Sequence, residues 1–129
     1  MPYEISWLVP NRILKMSVSG ELIRGEIQEI YKKQMETVRE EGEVPVHAIV
    51  DASEITNIKI KLNEISGFLD PSGGDLFGWT IIVTENRFMR FLTAMFSKMT
   101  GSNFKTVDTY EEALEILHKQ VPDLLSQAE

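Results

Sequence analysis

Residues 44–51 read VPVHAIVD, and residues 79–84 read WTIIVT. Each is an apolar run too short for a stable helix, rich in β-branched residues and closed by a polar one. That is the profile of a strand covered on both faces in the interior of a sheet. Strands of this kind belong to parallel sheets, whose successive members are joined by helices. The flanking sequence supplies those helices.

Before the first run, Ile23, Ile27, Ile30, Tyr31, Gln34 and Val38 recur at helical spacing. Glu26, Glu29, Lys32, Lys33 and Glu36 lie on the opposite side, and Glu41-Gly42 ends the pattern. After the second run, Asn86 is placed to cap a helix that carries Phe88, Met89, Phe91, Leu92, Met95, Phe96 and Met99 and stops at Gly101. A short strand over 104–107 then leads into Thr109-Tyr110-Glu111-Glu112, the S/T-x-x-E spacing of a capping box, in which hydroxyl and carboxylate each satisfy a free backbone N–H. It opens a last helix with the stripe Ala113, Leu114, Leu117 and Val121. Between the two apolar runs, Leu62 to Leu69 reads as a weaker helix and Asp70-Pro71-Ser72-Gly73-Gly74-Asp75 as a surface loop.

The first residues alternate instead. Tyr3, Ile5, Trp7 and Val9 share one side of an extended chain, and Leu14, Met16 and Val18 do the same beyond Pro10-Asn11. These are two antiparallel strands joined tightly. Proline cannot take the positive φ of a primed hairpin turn, which leaves a type I or II turn or a slightly longer loop. The order is therefore β-β-α-β-α-β-α-β-α, an α/β domain filling residues 1–129. It predicts a mixed, mostly parallel sheet of about five strands with an antiparallel N-terminal strand and helices mainly on one face. Polar residues at alternate strand positions, among them Lys15, Ser17, His47 and Lys105, leave the other face partly open.

Twenty acidic residues against 13 basic give a net charge of −7, which repels phosphate backbones and argues against nucleic acid as a partner. Lys32-Lys33 and Lys59 to Lys61 are short and lack the interleaved aromatics that stack bases. The absence of cysteine excludes disulfides, thiolate nucleophiles and sulfur-held metals. With no leader-like start and no stretch near the roughly 20 apolar residues that span a bilayer, the expectation is a cytoplasmic protein without a membrane span.

Catalytic chemistry has little to work with. No glycine-rich turn joins a strand to a helix, as a phosphate cradle requires, and Ser72-Gly73-Gly74 precedes a strand. His47 and His118 fall in different elements without partners for zinc or proton transfer. No catalytic residue, metal or cofactor is expected. Asp51 and Glu85 each follow an apolar run and so belong on the carboxyl edge of the sheet, where open α/β folds bind ligands. Asp51, Ser53 and Thr56 are suited either to a partner or to stabilising their own loop. The helix over 87–100 spreads its large apolar residues across about 160° of its wheel, more than a core stripe needs. Met89 and Phe96 on one flank and Phe91 on the other suit an apolar pocket, a dimer seam or deeper burial in the monomer.

AIVDASEIT (48–56) followed by a helix, GWTIIVTEN (78–86) followed by an apolar helix, and the closing FKTVDTYEEALEIL (104–117) together resemble the bacterial STAS, or SpoIIAA-like, superfamily over nearly the whole chain. The resemblance implies a sheet of successive βα units and a regulatory or protein-interaction module, not an enzyme. Classical members act in anti-sigma-factor partner switching through a phosphorylatable serine in an Asp-Ser-Ser-Gly-like motif beyond the aspartate that ends the strand. The corresponding positions here, Lys59-Ile60-Lys61, carry no hydroxyl, so the binding role is implied without its switch. The expected partner surface is the loop from Asp51 to Leu62, with Asp51, Ser53, Thr56, Lys59 and Lys61. A related fold of the CRAL-TRIO type binds lipids, and it gives the alternative of a lipid or fatty-acid carrier with its pocket at Met89, Phe91 and Phe96. A homodimer through Met89, Phe96 or the open sheet face is a third expectation.

Overall fold

The computed structural model describes residues 3–43, 45–59, 77–100 and 103–121. Strand β1 (Tyr3–Val9) turns back into β2 (Ile13–Ile23) through Pro10-Asn11-Arg12. The Arg12 N–H donates to the Val9 carbonyl at 3.0 Å, and Asn11 has a φ of 66°. That left-handed residue in third place, after a proline in second, is what a type II turn demands.

Helix α1 (Arg24–Glu41) follows β2 and stops at Gly42, whose N–H donates to the Val38 carbonyl at 2.8 Å. A Cβ on Gly42 would lie 2.7 Å from that carbonyl oxygen and 2.8 Å from Val46 Cγ2, so the turn into the next strand leaves no room for a side chain. The chain continues as β3 (Val46–Lys59), β4 (Phe77–Val83), α2 (Arg87–Thr100), β5 (Asn103–Val107) and α3 (Tyr110–Gln120). The sheet order is β1-β2-β3-β4-β5, with β1 antiparallel to β2 and the other neighbours parallel. This is the mixed, mostly parallel α/β sheet expected. The helix expected over 62–69, the loop 70–75 and Lys61 lie outside the described residues.

Both faces of the sheet are packed. On one, Leu14, Met16, Val18 and Ala48 meet Val38 and Ile30 of α1 and Met89 of α2. On the other, Ile13, Ile49, Ile81, Val83 and Val107 meet Ala113 and Leu117 of α3. Two of the three described helices thus share a face. The second face, expected to be partly open, carries α3, whose Ala113 and Leu117 stripe is buried against Ile13, Ile49 and Ile81. Ile49 and Ile81 are fully buried, a gain of about 1.5–3 kcal/mol for each side chain.

Two strands outrun the expectation. Strand β2 passes Gly20 (φ 80°) and ends at Ile23, and β3 passes Asp51 and ends at Lys59. Their outer parts pair from Ser19 with Glu54 to Ile23 with Lys59, beyond one register shift between Ser17 and Ser19 and with a second between Gly20 and Glu21. Strand β1 pairs no further along β2 than Val18, and β4 no further along β3 than Asp51. Among the described strands, β2 and β3 therefore project as a two-stranded overhang. Asp51 lies within its strand, not at its end, and the loop expected from Asp51 is strand as far as Lys59. The physical reason is burial: Ile55 and Ile58 pack against the Met16, Val18 and Ile30 cluster and keep the chain extended where Ser, Asn and Thr suggest a loop.

Candidate functional site

The alternation of β2 puts Lys15 and Ser17 on the face that α3 covers, and Asp51 joins them as the register partner of Ser17 on one side and of Val83 on the other. Asp51 therefore stands level with the carboxyl end of β4 while β3 continues past it. Its carboxylate accepts the Ser53 N–H at 3.1 Å and the Ser53 hydroxyl at 2.6 Å. This local arrangement orients the acid and holds the Ser53 side chain against it. Tyr110, the first residue of α3, stands near enough to feel the charge. Its phenol is pushed above the ordinary value of 10.0, by burial first and by the Asp51 carboxylate second. Lys15 Nζ lies 4.6 Å from the centre of the same ring.

Beside this cluster is a depression of about 340 Å³, lined by Tyr3, Glu4, Ser17, Val18, Ser19, Asp51 and Glu54. It lies where the overhang leaves the sheet. Thr56 is exposed further along β3, and Lys59 closes the overhang 3.2 Å from Glu21. Of the five residues expected to meet a partner, Asp51 and Ser53 are in contact, and Thr56 and Lys59 follow on the same strand. Lys61 is outside the described residues. Glu4, Ser19, Glu54 and Tyr110 were not singled out from the sequence. Their signal was partly present, because the polar positions alternating along β2 mark the face on which the depression forms.

On the opposite face an apolar cleft of about 160 Å³ separates α1, α2 and the sheet. Met16, Val18, Ile30, Val50, Leu92 and Met89 line it, with Tyr31 and Gln34 from α1. Met89 is thus placed between helix and sheet. Phe91, on the other flank of α2, is half exposed and does not line the cleft. Phe96 lies further along α2. Helix α2 is capped as expected, with Asn86 Oδ1 accepting the Met89 N–H at 3.0 Å. Arg90 ties its first turns to the sheet's carboxyl edge, donating to the Thr84 carbonyl at 3.0 Å and pairing with Asp108.

The histidines divide between core and surface. His118 is exposed on α3, whereas His47 is 8 % exposed and its Nδ1 accepts the Trp79 N–H at 2.9 Å. Among the described residues no group of three His, Asp or Glu side chains is arranged to hold a metal ion. No helix among them is long and apolar enough to cross a membrane.

No family model matches the chain, and no curated protein matches it in sequence. Solved structures do match it in shape. An uncharacterised protein of the DUF3478 family from Shewanella loihica PV-4, described as having a SpoIIAA-like fold, superimposes with a TM-score of 0.63 at 16% identity over 89% of this chain and 93% of its own. The anti-sigma factor antagonist SpoIIAA in its unphosphorylated form superimposes with a TM-score of 0.62 at 15% identity over 91% and 96% of the two chains. The strand order, the antiparallel first strand and these superpositions together give the chain a STAS-type, SpoIIAA-like fold.

Proposed function

We propose that this chain is a non-enzymatic regulatory module that docks a protein partner along the outer part of β3, through Asp51, Ser53, Thr56, Lys59 and the nearby Lys61. The observation that carries the reading is the overhang. Beyond Asp51 the strand leaves its β4 neighbour and presents Ser53, Glu54, Thr56, Asn57 and Lys59 to solvent, with the polar depression at its base. A structural neighbour that antagonises an anti-sigma factor supports the same class of role. That role is carried here without a hydroxyl at Lys59 or Lys61, so partner release would be governed by something other than phosphorylation of those positions.

The test is affinity capture from the source cells with native chain as bait, beside a chain carrying Lys59→Glu and Lys61→Glu. The expected result is a specific partner on the native bait that the reversed one loses. If every specific partner stays on both baits, the docking surface lies elsewhere.

A second reading has its own observation, the apolar cleft lined by Met89. A carrier of a lipid or fatty acid would hold the acyl chain between α1, α2 and the sheet, with Tyr31 and Gln34 at hand for a polar head. Native mass spectrometry of gently purified protein is expected to show added mass that organic extraction removes. A bare chain throughout removes this reading and leaves the first untouched.

A further inference from the structure

Strands β3 and β4 slip against each other where they begin. Val46 is opposite Phe77 and Ala48 is opposite Thr80, so β4 holds one more residue than β3 over this interval. Such a bulge leaves a main-chain group without its ladder partner. Here the imidazole of His47 supplies the partner, its Nδ1 accepting the Trp79 N–H at 2.9 Å, which requires the ring to be neutral with its proton on Nε2. The ring is also wedged in place. A Cβ on Gly78 would lie 2.4 Å from His47 Cε1 and 2.6 Å from Nδ1, so the imidazole occupies the space that any other residue would fill.

We propose that His47 is a proton-operated latch on the amino-terminal end of β4: protonation at Nδ1 removes the acceptor for the Trp79 N–H and frees the strand from Phe77 to Trp79 while the rest of the sheet stays paired. A protonated ring turns an N–H against the Trp79 N–H, donor against donor, from its place over Gly78. The charged groups around it do not help to hold a second proton. Arg12, from the β1–β2 turn, is positive, and its Nε is buried without a hydrogen-bond partner among the described residues. Glu43, after α1, is engaged with Arg12 at 3.6 Å. From β4 come Gly78 and Trp79, which do not titrate. Lys105 of β5 is held over the Trp79 ring at 6.0 Å, and α3 meets this layer with Ala113 and Leu117. Burial and the Arg12 charge keep the ring neutral at neutral pH, so the latch is closed there and opens on acidification.

Trp79 packs against the same core layer as Leu114 of α3 and Val121 just after it, so release of its strand end loosens that corner of the structure. The Asp51 to Lys59 surface lies further along β3 and is not part of the device.

The experiment is amide hydrogen exchange by nitrogen-15 NMR on the full chain between pH 7.5 and about pH 5, with rates corrected for intrinsic pH dependence. The imidazole nitrogen shifts of His47 are followed in parallel. Protection at Trp79 is expected to fall, by up to about tenfold per pH unit, as pH drops from the ordinary histidine value of 6.5 toward the lower His47 transition, while the paired amides of Leu14 and Val50 hold theirs. In His47→Gln, whose side-chain oxygen can accept without titrating, Trp79 protection is expected to be independent of pH. The proposal is overturned if Trp79 protection in the native chain stays constant while His47 titrates, or if Leu14 and Val50 lose protection in step with it. The native measurement decides the matter even where the variant does not fold.

Discussion

Lys59 Nζ stands 3.2 Å from Glu21 Oε1, joining the far ends of β3 and β2 across the overhang. Both side chains are more than half exposed, so water and salt screen the pair. Lys59→Glu is therefore expected to cost under about 1 kcal/mol in urea unfolding while abolishing capture of the partner. A loss of several kcal/mol would instead make Lys59 a structural residue and undercut the docking surface.

Gly78 faces the His47 ring at a distance no Cβ tolerates. Gly78→Ala is expected to destabilise the domain by about 1–3 kcal/mol, the usual cost of overpacking, read from the shift in urea midpoint at constant slope. Combined with His47→Ala, which vacates the space, the alanine is expected to cost much less. Additive penalties would show that the two residues do not oppose each other.

Burial, and after it the charge of Arg12, hold the His47 imidazole below its ordinary value of 6.5. On acidification the unfolded chain takes up this proton first. The stability His47 contributes is therefore fully present above pH 6.5 and lost as pH falls toward the folded value, with a limiting slope of about 1.4 kcal/mol per pH unit. Unfolding free energies at a series of pH values are expected to fall more steeply for the native chain than for His47→Gln. The carboxylates are common to both chains, so parallel curves would deny the histidine any part in acid sensitivity.

Thr109 Oγ1 accepts the Glu112 N–H at 3.2 Å and caps α3. Thr109→Ala is expected to cost about 1 kcal/mol in thermal unfolding, and Thr109→Ser only a fraction of that. Equal losses in the two variants would mean that the methyl group, not the hydroxyl, matters.

Much of the fold was legible because the apolar periods were clean. The buried centre of β3, Ile30 and Val38 of α1, Ala113 and Leu117 of α3, the Asn86 and Thr109 caps and the Gly42 stop stand where composition and spacing put them, whereas Ile23, expected in the first helical stripe, ends β2 exposed, and Val121, expected in the last, follows α3. The overhang was not legible. Ser53, Glu54, Thr56 and Asn57 carry turn propensity, and what keeps them extended is tertiary, the docking of Ile55 and Ile58 on α1 and β2 residues far away in sequence. The candidate site was half legible for the same reason. Asp51 and Ser53 are neighbours along the chain, but Glu4, Ser19 and Tyr110 reach the cluster only through strand pairing and the packing of α3.

Between Val46 and Val50 strand β3 is aliphatic toward both helix layers, apart from His47. A strand with one wet side is told by its own pattern which residues turn inward; this one is not, since sliding it by a residue trades one set of aliphatic contacts for another. The imidazole breaks that degeneracy. The observed alignment sets a ring nitrogen against a main-chain donor and lays the ring over a residue with no side chain. His47 thus acts as an index mark for assembling the two central strands. An aliphatic replacement would leave the core as greasy as before but take away what makes a single alignment unique.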